Sequence, residues 1–180
     1  MTWAVWITGL PSSGKTAIAR KVRTILKDQG VANVRELELD EIRKFITPQP
    51  TYSDEEREIV YASLVYMAKL LVDCGTPVII DATANRRRYR DRARAAIPKF
   101  AEVYVKCSLE TCMARERRRR ARHAPAGIYK RSQEEGATVP GVNVPYEEPV
   151  KPEVEVDSET MTIKKCAERV VEFLLNEYET

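Results

Sequence analysis

Apolar residues in this chain fall into short unbroken runs separated by stretches of helical periodicity. Trp3-Ala4-Val5-Trp6-Ile7 and Val78-Ile79-Ile80 contain no polar member, the pattern of strands buried on both faces. Between them Ala17, Ile18, Val22, Ile25 and Leu26 recur at helical spacing, predicting a helix from Lys15 to Asp28 with Gly30 at its C-terminal cap. Val34 to Leu39 alternates like a second strand that stops at Asp40, and a short helix from Glu41 to Ile46 follows, ending before Pro48 and Pro50. Ser53-Asp54-Glu55-Glu56 reads as a capping box that opens a long helix, closed by Gly75. After the strand that ends in Asp81, an arginine-rich helix runs from about Arg86 to Ile97. A strand from Ala101 to Cys107 and a helix from Leu109 to about Arg122 come next. Residues 123–152 are irregular and rich in proline and glycine, a length beyond ordinary connections. Val154 to Val156 then predicts a last strand, and Thr160 or Thr162 starts a terminal helix. The alternation predicts an α/β fold: a single domain over residues 1–180, a five-stranded parallel sheet with helices on both faces, and a lid at about 123–152.

Composition narrows the class. The 180 residues suit one domain, and 43% hydrophobic content marks a globular chain. A charged fraction of 32% exceeds the usual quarter and points to ion-pair networks. The net charge of +3 gives no overall polyanion-binding character. Cys74, Cys107, Cys112 and Cys166 show no C-x-x-C pair, and His123 is the only histidine, so free thiols in a reducing compartment are expected rather than a zinc site or disulfides. No run has the length of a membrane span and the first strand begins near Met1, so a cytoplasmic location with no membrane partner is expected.

The chemistry is concentrated in Gly9-Leu10-Pro11-Ser12-Ser13-Gly14-Lys15-Thr16, which meets every fixed position of G-x-x-x-x-G-K-[ST]. Its setting between a predicted strand and a predicted helix is the one the motif requires. Inward-turned backbone N–H groups and the positive end of the helix hold a polyphosphate with few side chains. In that arrangement Lys15 reaches the β- and γ-phosphates and the Thr16 hydroxyl holds Mg²⁺.

Ligands of open α/β sheets sit at the carboxyl ends of the strands, where Asp40 and Asp81 also fall. Phosphoryl transfer is positioning and charge neutralisation, with a carboxylate to take the acceptor's proton or to hold the metal. Both aspartates qualify for either role, and both also suit helix capping. Arg43, one turn beyond Asp40, and Arg57, in the first turn of the capped helix, are suited to an anionic acceptor. Two arginine clusters, Arg86 to Arg94 and Arg115 to Arg122, are too large to serve one ligand, so most of their members are expected to be solvated or paired.

Through these residues and the segments around them, the chain resembles adenylylsulfate kinases over nearly its whole length. Trp6-Ile7-Thr8-Gly9 through Thr16 is similar to that family's opening, and Glu38-Leu39-Asp40-Glu41-Ile42-Arg43 stands at its Asp-Gly-Asp-x-x-Arg segment. Tyr52-Ser53-Asp54-Glu55-Glu56-Arg57 resembles Phe-Ser-x-x-Asp-Arg. Gly127-Ile128-Tyr129-Lys130 and Pro140-Gly141-Val142-Asn143-Val144-Pro145-Tyr146-Glu147-Glu148-Pro149 resemble its lid. The likeness implies transfer of the ATP γ-phosphate to the 3′-hydroxyl of adenosine 5′-phosphosulfate (APS), with ATP and Mg²⁺ as cofactors and a homodimeric assembly. It implies Asp40 as the general base or metal-orienting acid and Arg43 and Tyr52 as acceptor contacts. Taken with the loop and strand-end readings, Asp40, Lys15 and Asp81 are the expected catalytic residues, Thr16 and Asp40 the expected metal ligands, and Arg43, Tyr52, Arg57, Lys130 and Val139 the expected acceptor site. Tyr52 would stack on the acceptor's adenine, with Val139 at the family's second aromatic position. The chain departs from the family after Arg57, where Ile59-Val60-Tyr61-Ala62-Ser63 replaces Glu-Asn-Ile-Arg-Arg. Val78-Ile79-Ile80-Asp81-Ala82-Thr83 is closer to polynucleotide-kinase-like enzymes.

Two other readings remain open on the sequence. One keeps the loop and Asp40 but takes another hydroxyl, such as a polynucleotide 5′-hydroxyl or a small alcohol. The other is a non-catalytic, nucleotide-dependent nucleic-acid-binding module built on the arginine helices, against which stands the lack of interleaved aromatics beyond Tyr89.

Overall fold

The computed structural model describes residues 2–118 and 125–178. Five strands form one parallel sheet in the order β2-β3-β1-β4-β5. They are β1 (Ala4–Thr8), β2 (Arg35–Glu38), β3 (Val78–Asp81), β4 (Phe100–Lys106) and β5 (Val154–Asp157). The helices are α1 (Lys15–Asp28), α2 (Leu39–Ile46), α3 (Asp54–Asp73), α4 (Arg87–Ala96), α5 (Leu109–Arg118), α6 (Ile128–Arg131) and α7 (Ile163–Tyr178). The α/β sheet with helices on both faces is the fold the alternation predicts.

The unbroken apolar run of β1 has a direct cause. Trp3, Val5 and Ile7 enter the core shared with α1 and α7, whereas Ala4 and Trp6 enter the opposite core, with Val60 and Leu64 of α3 and Tyr89 and Ala93 of α4. Because successive side chains point to opposite faces and both are covered, no polar position remains. Trp6 keeps its indole N–H satisfied inside that core by donating to the Ala82 carbonyl at 3.0 Å.

Several local expectations are corrected. Helix α2 begins at Leu39, so Asp40 lies in its first turn rather than at a strand end. The Ser53 cap is half of a capping box. Its hydroxyl accepts from Glu56 N at 3.1 Å, but the Glu56 carboxylate turns away to Thr51 N (2.6 Å) and to Arg43 (2.6 Å). A charge-assisted bond to a buried guanidinium outweighs the reciprocal cap. Helix α6 inside the irregular segment was not predicted; four residues are too few to show a period. The part of the α5 prediction beyond Arg118, with Arg119, Arg120, Arg122 and His123, lies outside the described residues.

Candidate active site

The phosphate-binding loop leaves β1 and enters α1 through backbone conformations that its glycines permit. At Gly9 a β-carbon would meet the Val105 carbonyl oxygen at 2.7 Å and Ser13 Oγ at 2.8 Å, so no larger residue fits. Gly14 caps α1 at φ +105°, a left-handed position that side chains resist. Ser13 N closes the turn on the Leu10 carbonyl at 3.1 Å, and Lys15 Nζ donates to that same carbonyl at 2.8 Å. Pro11, Ser12, Gly14, Lys15 and Thr16 line a cavity of about 810 Å³, whereas Gly9 and Ser13 are buried behind it and Leu10 packs into an apolar cluster.

The acids meet the loop in an unexpected order. Thr16 Oγ1 donates to Asp81 Oδ2 at 2.5 Å, so the structure pairs Thr16 with Asp81 rather than with Asp40. Strand order supplies the reason: β3 is adjacent to β1, and β2 lies one strand further out. The end of β3 therefore opens directly beside the loop. Burial pushes the Asp81 carboxyl up to about 6, against the pull of Lys15 and the Thr16 hydroxyl; Glu38 and Asp40 push it further in the same direction. Glu38, whose Cα is in register with that of Asp81, also lines the cavity and is held by Arg20 at 3.0 Å. Asp40 lines the cavity from the first turn of α2. A hydroxyl and a carboxylate beside a polyphosphate loop are the hard oxygen donors that suit Mg²⁺, which keeps several waters and takes few protein ligands.

A second wall of the same cavity is built from α2, α3 and the turn between them. Tyr52 adopts φ +56°, held in that turn by Glu56, whose carboxylate accepts from Thr51 N and from Tyr52 N at 3.3 Å. The Arg43 guanidinium lies 4.8 Å from the Tyr52 ring centroid and is fixed by Glu56. Arg57 is 5% exposed; its Nη2 donates to the Thr138 carbonyl at 2.6 Å, while Nη1 is buried with no hydrogen-bond partner. A buried guanidinium nitrogen without an acceptor is costly unless a ligand supplies one. Arg43, Tyr52, Arg57 and Val139 are thus brought to one cavity. Lys130 is not: it is exposed on α6, where the helical turn sends Tyr129 inward instead, and Arg131 takes the place at the cavity wall.

The segment from Pro125 to Pro140 lines this cavity, and it and the residues that follow are tied to the rest of the fold. The Tyr129 hydroxyl donates to the Pro11 carbonyl of the loop at 2.7 Å. Glu116 of α5 accepts from Ile128 N at 2.5 Å and Tyr129 N at 3.0 Å, satisfying the start of α6. Tyr129, Val139 and Cys112 form a small apolar cluster with Leu10. Further along, the Tyr146 hydroxyl is 3.0 Å from Thr8 Oγ1, Asn85 Nδ2 donates to the Pro145 carbonyl at 3.2 Å, and Glu147 N donates to the Asn85 carbonyl at 2.7 Å.

Most arginines at the start of and along α4 have protein partners, whereas the exposed Arg87 contributes its backbone N–H to Glu147. Arg88 and Arg92 share Glu58, Arg86 pairs with Glu147, and Arg94 pairs with Glu153 at 2.6 Å. Arg90, 1% exposed, pairs with Glu102 and donates to the Glu147 carbonyl at 2.6 Å. This helix offers no free basic stripe for a nucleic-acid backbone. In the second cluster, Arg115 binds the Ser13 carbonyl (3.2 Å) and the Ser158 carbonyl (2.6 Å), bracing the loop against the end of β5.

Sequence reasoning did not single out Glu38, Glu116 or Tyr61. Glu38 was readable from its place two residues before Asp40, since that spacing puts both near one strand end. Nothing in the sequence signals the capping role of Glu116. Tyr61 reads as an ordinary helical core position.

The chain is similar to known proteins over nearly its whole length. A model of the adenylylsulphate kinase family matches residues 1–157. A probable adenylyl-sulfate kinase of Pyrococcus abyssi is 37% identical over 172 residues, covering 94% of this chain and 92% of the relative. The adenylyl-sulfate kinase of Bacillus velezensis is 35% identical over 177 residues, covering 96% and 84%. The Mycobacterium tuberculosis APS kinase, solved in complex with AMPPNP and APS, is similar with a TM-score of 0.83 at 27% identity, covering 96% of this chain and 97% of that one. The chain belongs to the adenylylsulfate kinase family.

Proposed function

We propose that this protein transfers the γ-phosphate of ATP to the 3′-hydroxyl of APS, giving 3′-phosphoadenosine 5′-phosphosulfate. One observation carries the reading beyond family membership: a single cavity is lined by the phosphate loop, by the Thr16–Asp81 pair and by a wall with an unpaired Arg57 nitrogen. Two anionic ligands need such an arrangement, a polyphosphate at the loop and a second nucleotide opposite. Lys15 leaves the Leu10 carbonyl to meet the transferring phosphate, and Thr16 with Asp81 would hold Mg²⁺, whose chemistry would be charge neutralisation at the phosphates. Asp40 orients the acceptor hydroxyl and takes its proton. Arg43 and Arg57 bind the acceptor's anionic group, with Tyr52 and Val139 flanking its base. The described segment 125–152 serves as a lid that excludes water from the transferring phosphate.

Two finer statements belong to the same proposal. A homodimer is supported by apolar side chains left in solvent on α2 and α3: Phe45 is 81% exposed, Ile59 68% and Tyr66 62%. A cytoplasmic location is supported by four free thiols; no described helix is long and apolar enough to cross a membrane. The experiment is an acceptor panel with γ-labelled ATP and Mg²⁺: APS, AMP, a 5′-hydroxyl oligonucleotide and small sugars. Label in APS alone is the expected outcome, and label in the oligonucleotide or a sugar but not in APS overturns the reading.

A further inference from the structure

The acceptor wall contains a second buried donor besides Arg57. Tyr61 of α3 lines the cavity, yet it is only 5% exposed. Its ring is clamped, stacked on Tyr89 at 4.3 Å between centroids and lying 6.3 Å from Trp6. Its hydroxyl accepts from Ala84 N at 3.0 Å. Among the described residues the phenol's own hydrogen has no acceptor. A phenol O–H lies in the plane of its ring, so with one in-plane position taken by the Ala84 N–H the hydrogen is directed to the other. Burial raises the Tyr61 phenol above its ordinary range, and although Arg43 and Arg57 pull the other way the direction stays upward. The group is therefore an un-ionised donor at neutral pH, within electrostatic reach of Arg43, Arg57 and Asp40.

Two buried donors on one wall, Arg57 Nη1 and the Tyr61 hydroxyl, both lack a protein acceptor. What satisfies both is a ligand group with several acceptor oxygens and no donors. We propose that Tyr61 is a specificity-determining residue whose hydroxyl donates to an oxygen of the acceptor's phosphosulfate beside Arg57. This rests on the APS reading of the cavity above and assigns that wall its neutral donor. Clamping by Tyr89 and Trp6 fixes the donor before the ligand arrives, so little side-chain entropy is lost on binding.

The test is Tyr61→Phe in the full chain, which keeps the ring and removes the donor. The KM for APS should rise roughly tenfold or more, as for a hydrogen bond to a charged group, with the KM for ATP unchanged. Competition binding separates recognition from packing. The variant should bind APS more weakly but adenosine, which lacks the anionic group, as well as wild type does. Equal weakening of both ligands, or an unchanged KM for APS, overturns the assignment. If the variant does not fold, wild-type crystals soaked with APS decide it: Tyr61 Oη within hydrogen-bond distance of a phosphosulfate oxygen supports the proposal, and a longer separation ends it. Wild-type enzyme that does not phosphorylate APS removes the underlying reading, whereas active wild type with an indifferent Tyr61→Phe variant removes this inference alone.

Discussion

Thr16 Oγ1 and Asp81 Oδ2, 2.5 Å apart, join the start of α1 to the end of β3 at the point where the phosphate loop opens. Asp40 faces the same cavity from α2 without sharing that bond, and the proposed function gives the two aspartates different roles. Asp81→Asn should raise the Mg²⁺ concentration needed for half-maximal rate and cut kcat by roughly 10²- to 10³-fold. Asp40→Asn should cut kcat by roughly 10²- to 10⁴-fold with the Mg²⁺ dependence unchanged. Metal titrations of both variants check this, and a shifted Mg²⁺ dependence in Asp40→Asn alone would reverse the assignment.

The Tyr129–Pro11 hydrogen bond couples the covering segment to the loop. Tyr129→Phe leaves a buried carbonyl unpaired, at a cost of about 1–3 kcal/mol. The expected result is a lower unfolding midpoint together with a raised KM for ATP, measured by thermal scans and steady-state kinetics.

The arginine helix is a structural element. Arg90→Ala leaves the buried Glu102 with only the longer Arg94 contact at 3.6 Å and should cost stability toward the about 3–5 kcal/mol of a broken buried pair. Arg92→Ala, removing one exposed partner of Glu58, should change stability by less than about 1 kcal/mol. Chemical denaturation of both variants tests the contrast, and neither should bind an oligonucleotide differently from wild type.

Acid–base behaviour follows from Glu36 on β2. Burial, followed by the nearby Asp81, raises its carboxyl to about 7 from its ordinary 4.5, against the opposing pull of Arg20. The folded state therefore holds the proton more tightly than the unfolded chain, and Glu36 withdraws stability as pH rises from about 4.5 to about 7. Glu36→Gln lacks that loss, so the variant should gain on wild type across this window and keep a constant margin above it. Unfolding midpoints of the two ligand-free proteins measured side by side check the sign.

Much of the sheet was legible because its signals are local. The unbroken runs at Trp3 to Ile7 and Val78 to Ile80 are buried on both faces, and the loop motif fixes where α1 begins. The pairing of Thr16 with Asp81 was not legible, because strand order is a long-range property and a residue's place along the chain does not reveal which strand lies beside β1. Glu56 shows a different limit. Its spacing from Ser53 predicts a reciprocal cap, but a buried guanidinium from another helix takes the carboxylate. The arginines of α4 read as an unusual charge run, and only the fold brings Glu58, Glu102, Glu147 and Glu153 to them. Lys130 and Tyr129 are neighbours in sequence, and which of them turns inward depends on a four-residue helix with no periodicity to read.

In the proposed function one cavity holds both substrates, the donor at the loop and the acceptor at Arg43, Tyr52 and Arg57. The most direct measurement is a crystal structure of the protein with Mg²⁺, a non-hydrolysable ATP analogue and APS. The triphosphate is expected on Gly14 to Thr16, the metal beside Thr16 and Asp81, and APS between Tyr52 and Val139 with its 3′-oxygen facing the γ-phosphate near Asp40. An acceptor bound away from Arg43 and Arg57, or an acceptor half left empty at saturating APS, would contradict it.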